Sequence, residues 1–259
     1  MDFELPLILI TNKEYLESLQ AGKVFMTHCL HYQKLENSDL QRGDKYDCAI
    51  KCGYEGYNLP DWVKNEVKSP RLMHLFTYIK CFFHYQRKDV KIITDKQLSL
   101  SISSESAKEL KSFSEEYALF IGNAAEFVRR FSKACEKNSL KYFYGDVSYI
   151  RDDDYLIYED GIQQAVAGTY SGELPHFGFV KRNKYRSQQE FRLIVDLSRN
   201  PEGENRVFSD SPDELLIPES IDFQMERIDD ISRIVKLSQV ADHQVVLDAK
   251  KNCYYFVDS

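Results

Sequence analysis

Most residue types that announce a special architecture are scarce in this chain of 259 residues. Seven prolines and eleven glycines are too few for a collagen-like or low-complexity protein. No apolar run approaches the ~20 residues needed to span a bilayer. The opening Met1-Asp2-Phe3-Glu4 lacks the basic segment of a secretory leader. The expectation is a cytoplasmic protein with no membrane attachment. The six cysteines, Cys29, Cys48, Cys52, Cys81, Cys135 and Cys253, are scattered rather than framed, which points to reduced thiols. Cys48 and Cys52 with His28 and His31 fit no standard zinc-finger spacing. A positive charge surplus is missing too. The net charge of −7 argues against binding nucleic acid over the whole surface but leaves room for a local basic site. No P-loop, dinucleotide glycine fingerprint, nucleophile elbow or zinc-protease helix is present.

What is present is an ordinary globular composition, 43% hydrophobic and 29% charged, with 17 Tyr and 16 Phe that suit strands. The length fits one domain, residues 1–259, and no internal repeat divides it. Leu5–Ile10 reads as a buried strand. Thr11-Asn12-Lys13-Glu14 reads as a capping box opening a helix over Lys13–Gln20, closed by Gly22. Lys23–Leu30 reads as a second strand. Residues 33–62 are polar and glycine-bearing, the pattern of a long loop that is either functional or mobile. Strands are expected at Leu72–Phe83 and Tyr117–Ile121. Asn123-Ala124-Ala125-Glu126 caps a helix over Ala124–Lys137, whose Phe127, Val128, Phe131, Ala134 and Cys135 recur at helical spacing. After Leu140 the pattern is mostly β: Lys141–Ile150, Tyr155–Tyr158, His176–Val180, Phe191–Val195, Ile231–Leu237, Val245–Leu247 and Tyr254–Val257. Helices early and strands late make the fold class α+β.

The richest stretch is Gln188-Gln189-Glu190-Phe191-Arg192-Leu193-Ile194-Val195. Read as a strand, it puts Gln188 and Glu190 on one face, an amide beside a carboxylate. Such a pair grips a polar substrate. The carboxylate then stabilises positive charge or accepts a proton. A basic, aromatic segment precedes it, Lys181, Arg182, Lys184, Tyr185 and Arg186, able to hold phosphates and stack a base. A second constellation is Gly22-Lys23-Val24-Phe25-Met26-Thr27, followed by His28, His31 and Tyr32. Gly22 permits close backbone approach, Thr27 offers a hydrogen bond, and Tyr32 offers a ring. Arg42-Gly43-Asp44 is either a charged turn or a substrate loop. Arg151-Asp152-Asp153-Asp154 looks like a metal site but reads better as a solvated turn. The basic residues Arg129, Arg130 and Lys133 read as a solvated helix face.

Two of these pieces together resemble the ADP-ribosyltransferase superfamily. Its Gly-x-x-Phe/Tyr-aliphatic-Ser/Thr strand is similar to Gly22–Thr27, and its late Gln-x-Glu is similar to Gln188-Gln189-Glu190. The whole layout, with Arg42-Gly43-Asp44 and Tyr185-x-x-Gln188-x-Glu190-x-Arg192, also resembles a family of bacterial and phage proteins. Some of its members are toxin-like transferases of phage defence, including an mRNA-modifying one in a toxin–antitoxin–chaperone system. The first strand departs from the superfamily pattern: it carries neither Arg nor His, and Thr11 is its nearest polar residue.

The resemblance implies a mixed β core with a few helices and NAD as substrate. It implies transfer of ADP-ribose to RNA or protein, with a possible antitoxin partner. It makes Glu190 the residue that stabilises the reacting ribose and Gln188 the one that orients the acceptor. Thr27 would support Glu190 or the ribose, and Tyr32 or Tyr185 would stack on nicotinamide. Arg182, Arg186 or Arg192 would pair the pyrophosphate. Lys181, Arg182, Lys184, Arg42 and Asp44 would meet substrate. Two alternatives stand beside this: a non-catalytic binding or regulatory domain on the same fold, and a metal-dependent nuclease using Asp152–Asp154 and Glu159.

Overall fold

The computed structural model describes residues 5–29, 31–32, 77–94, 97–113, 115–151, 177–197, 218–248 and 253–257. Arg42, Asp44, Cys48, Cys52, Asp152–Asp154, Glu159 and the expected strand Tyr155–Tyr158 lie outside these residues. The architecture is mixed, mostly antiparallel sheet with few helices. Among the described residues no helix is long and apolar enough to cross a membrane.

The opening of the chain forms as its pattern demands. β1 is Leu7–Ile10, α1 is Lys13–Gln20 and β2 is Lys23–His28. The α1 cap is Asn12, not Thr11: its side chain accepts a hydrogen bond from the Tyr15 N–H at 3.0 Å. Gly22 is required where it stands. Its φ is +92°, and a Cβ there would lie 2.4 Å from the Met225 carbonyl oxygen.

β3 runs Thr77–His84, followed by β4 (Val90–Thr94) and β5 (Gln97–Leu100). Next come α2 (Ser104–Ser112), β6 (Tyr117–Ile121) and α3 (Ala124–Lys137). α2 is not evident from hydrophobic spacing, since only Ser106 and Leu110 of it are buried. It starts because the Ser103 hydroxyl accepts from the Ser106 N–H at 3.1 Å. β7 (Lys141–Asp146) and β8 (Ser148–Ile150) split the expected long strand, and β9 is Val180–Arg182. A 3-10 turn over Asn183–Gln188 leads into β10 (Glu190–Asp196). β11 (Ser220–Gln224), β12 (Ser232–Lys236), α4 (Leu237–Ala241), β13 (Gln244–Asp248) and β14 (Cys253–Val257) complete the order.

The main sheet has the order β11-β2-β3-β1-β6-β12, with β10 between β3 and β7. One face carries Leu7, Leu9, Tyr78, Phe82, Leu119, Leu193 and Val195, packed on Leu16 and Leu19 of α1 and Phe127 and Phe131 of α3. The other face carries Ile8, Phe83, Ala118 and Phe120, packed on α2, α4 and the second sheet, β14-β13-β5-β4. This two-sided burial explains why β1 reads as an unbroken apolar run rather than an alternation.

One irregularity positions the site. β10 pairs along the whole of one β3 edge, from Thr77 to Phe83. The other edge is shared: β2 pairs at Tyr78 and Ile79, and β1 pairs at Phe83 and His84. Lys80, Cys81 and Phe82 lie between those two registers, and there the sheet opens into a fork.

Candidate functional site

A cleft of about 310 Å³ occupies the fork. Leu9, Ile10 and Thr11 line it from β1 and its end, Phe25 and Thr27 from β2, and Ile79–Phe83 from β3. His31, Tyr32, Lys181, Gln188 and Glu190 complete its polar lining together with Tyr15. Thr27 and Tyr32, from the start of the chain, thus meet Gln188, Glu190 and Lys181, from its last third.

Glu190 does not share a strand with Gln188, contrary to expectation. Gln189 adopts a left-handed conformation, φ 42° and ψ 51°, which separates the 3-10 turn from β10. The two side chains converge because that turn folds back on the strand. Both are buried. Lys181 sits between them, its Nζ donating to Glu190 Oε1 at 2.6 Å and to Gln188 Oε1 at 2.7 Å. The second carboxylate oxygen, Oε2, accepts from Arg192 Nε at 2.8 Å and Nη2 at 2.6 Å. Arg192 and Glu190 are two apart on β10 and so share a face, as the pleat requires.

Burial by itself pushes the Glu190 carboxyl up, but Arg192 and Lys181 outweigh it and hold the group at about 2. Glu190 is therefore an anion at neutral pH. It suits stabilisation of positive charge and does not suit proton transfer.

α2 and the turn at residues 87–89 support this carboxylate from behind. Gln188 Nε2 donates to Glu109 Oε1 at 2.9 Å. Gln189 Nε2 donates to Asp89 Oδ2 at 2.8 Å and to the His84 carbonyl at 3.1 Å, and its Oε1 accepts from the Ser106 hydroxyl at 3.3 Å. The Glu190 backbone N–H donates to the Tyr149 hydroxyl at 2.8 Å.

Several expected contacts are absent. Thr27 reaches the cleft but does not bond Glu190, whose carboxylate partners are Lys181 and Arg192. Its strand is separated from β10 by β3. Arg192 is fully buried, with Nη1 on the Gly178 carbonyl at 2.9 Å, so its guanidinium belongs to Glu190 and not to a pyrophosphate. Tyr185 is buried beneath cations rather than open to a ring: Lys181 and Lys184 each lie 4.6 Å from its centroid and Arg182 lies 5.7 Å away. It does not line the cleft, nor do Arg182, Lys184 and Arg186. Lys184 and Arg186 are exposed on the turn that ends at Gln188. The helix cations are neutralised: Arg130 pairs with Asp230 and Glu126, Arg129 with Glu126, and Lys133 with Glu226. No group of three or more His, Cys, Asp or Glu side chains among the described residues gathers into a metal site.

The structure also brings in residues that the motifs did not mark, Lys80, Cys81 and Tyr15 in the cleft and Glu109 behind it. Lys80 had a signal: it is the one charged residue inside the apolar run Thr77–Phe83. No protein-family model, no curated protein and no solved structure matches this chain.

Proposed function

We propose that the fork cleft binds NAD and that the protein transfers ADP-ribose to a macromolecular acceptor, RNA or protein, as a toxin or phage-defence effector. The observation that supports this reading is convergence. Phe25 and Thr27 of the Gly22–Thr27 strand, with Tyr32, are far in the chain from Gln188 and Glu190, and all line one cleft. Its volume lies at the low end of the range for small-molecule sites.

On this reading the bond between nicotinamide and the ribose anomeric carbon breaks, and nicotinamide leaves with the electron pair. The acceptor nucleophile forms the new bond and loses a proton. Glu190 stabilises the positive charge that builds on the ribose. Arg192 keeps Oε2, and Oε1, now held by Lys181 at the cleft, is the oxygen that a ribose hydroxyl takes up. Gln188 orients the acceptor, Thr27 hydrogen-bonds the ribose and Tyr32 stacks on the nicotinamide ring. The exposed Lys184 and Arg186 suit an acceptor with a phosphate backbone. A toxin role implies an antitoxin that restrains it.

The test is labelled NAD with cell lysate and with purified RNA, comparing wild type with Glu190→Gln and Gln188→Ala. Label transfer or nicotinamide release by wild type, lost in Glu190→Gln, is expected. Neither product from folded wild type sinks the reading.

One observation favours a second reading, a non-catalytic ligand-binding domain. Both Glu190 oxygens are paired with cations, as in a structural ion triad. Calorimetric titration with NAD separates the two, because the binding-domain reading predicts no heat from NAD.

A further inference from the structure

Lys80 stands out once the charges around the cleft are paired off. Pairs directly opposite in the sheet share a face, and Glu190 faces Phe83 while Arg192 faces Cys81. Lys80 therefore starts from the opposite face to Glu190, beside Tyr78 and Phe82, at the point where β1 and β2 part. Its side chain reaches across the fork, and its Nζ donates to the Phe25 carbonyl at 3.1 Å. An ammonium has three donors, so this bond leaves two for a ligand. Among the described residues no carboxylate pairs with Lys80.

The other lysine of the cleft is not in that position, since Lys181 is held by Glu190 and Gln188. Among the described residues Glu190 is the single carboxylate in the lining, and it already takes a cation on each oxygen. Among the described residues cations thus outnumber carboxylates here, and Lys80 is the lining cation that no carboxylate pairs. Thr11, Thr27 and Tyr15 add hydroxyl groups to the same lining. One cation with several hydroxyls around it suits a compact anion with many acceptor oxygens.

We propose that Lys80 is a phosphate-binding residue and that the cleft takes a ligand bearing a diphosphate, anchored at the β1–β2 fork. Burial already pulls this ammonium down to about 8, so that it gains from an anion that restores its charge. The proposal rests on the fork cleft being a ligand site but not on any transfer of ADP-ribose.

Calorimetric titration of the full chain with inorganic pyrophosphate and with ADP tests it, against acetate at matched ionic strength. Saturable binding of both phosphates is expected, weakened about ten- to a hundredfold in Lys80→Met, as fits loss of a charged hydrogen bond. Acetylation of wild-type Lys80, read by mass spectrometry, needs no variant to fold: saturating pyrophosphate should protect this lysine and acetate should not. Unchanged labelling of Lys80, equal affinity in a folded Lys80→Met, or equal protection by acetate overturns the proposal. Pyrophosphate protection without nicotinamide release leaves it standing and sinks the transferase reading. NAD turnover with unaltered KM in Lys80→Met does the reverse.

Discussion

At the residue scale the molecule turns on the Glu190 triad. Glu190, Lys181 and Arg192 are all buried, and the carboxylate takes one cation on each oxygen. Removing one charge leaves another buried without its partner, which costs about 3–5 kcal/mol. Glu190→Gln is therefore expected to lower stability by about that amount in urea unfolding. Gln188→Ala, which removes a neutral amide, should cost about 1–3 kcal/mol by leaving its partners unsatisfied. The pH dependence follows from the same pairing. The Glu190 carboxyl is held at about 2, below its ordinary 4.5. The unfolded chain binds that proton first as pH falls, so the stabilisation is complete above pH 4.5 and is lost as pH falls from there to about 2. Acid unfolding of wild type should show this loss, and Lys181→Met should flatten it. The Gln-x-Glu motif was visible in the sequence, but its geometry was not. A strand reading placed both side chains by the pleat, whereas the left-handed Gln189 placed them by a fold-back that no local pattern signals.

At the element scale, the pieces legible beforehand were those whose ends carry their own chemistry. The expected Ala124–Lys137 helix agrees with α3, because Asn123 caps it and Phe127, Phe131, Ala134 and Cys135 form one buried stripe. Asn123→Ala should cost about 1 kcal/mol, measurable as a lower unfolding midpoint. Gly22 was expected to permit close approach, and it does so against the Met225 carbonyl. Gly22→Ala should destabilise by about 1–3 kcal/mol, since a side chain meets both an unfavourable φ and a backbone oxygen. α2 carries no such local signal. It is short and mostly polar, and its role is tertiary: Ser106 and Glu109 hold Gln189 and Gln188.

At the scale of the whole molecule, the fork in the main sheet makes the cleft. β2 and β1 divide one edge of β3, and Glu190 arrives from β10 on the other edge. A ligand that binds only the folded protein stabilises it by about 2.7 kcal/mol at a hundred times its dissociation constant. NAD is accordingly expected to raise the unfolding temperature of wild type. Thr27→Phe, which fills the cleft from an intermediate position in β2, should fold and lose that rise. A rise of equal size in the variant would place the nucleotide elsewhere.

The sequence by itself determined the α+β composition, most strand and helix positions and the Asn123 cap. These follow from short-range physics: side-chain period, capping and backbone sterics act within a few residues. Only the tertiary structure decided that Arg192 and Lys181 serve Glu190, that Tyr185 lies under cations, and that no carboxylate among the described residues pairs with Lys80 at the cleft. Which charges neutralise each other, and which one is left over, depends on strands brought side by side from distant parts of the chain.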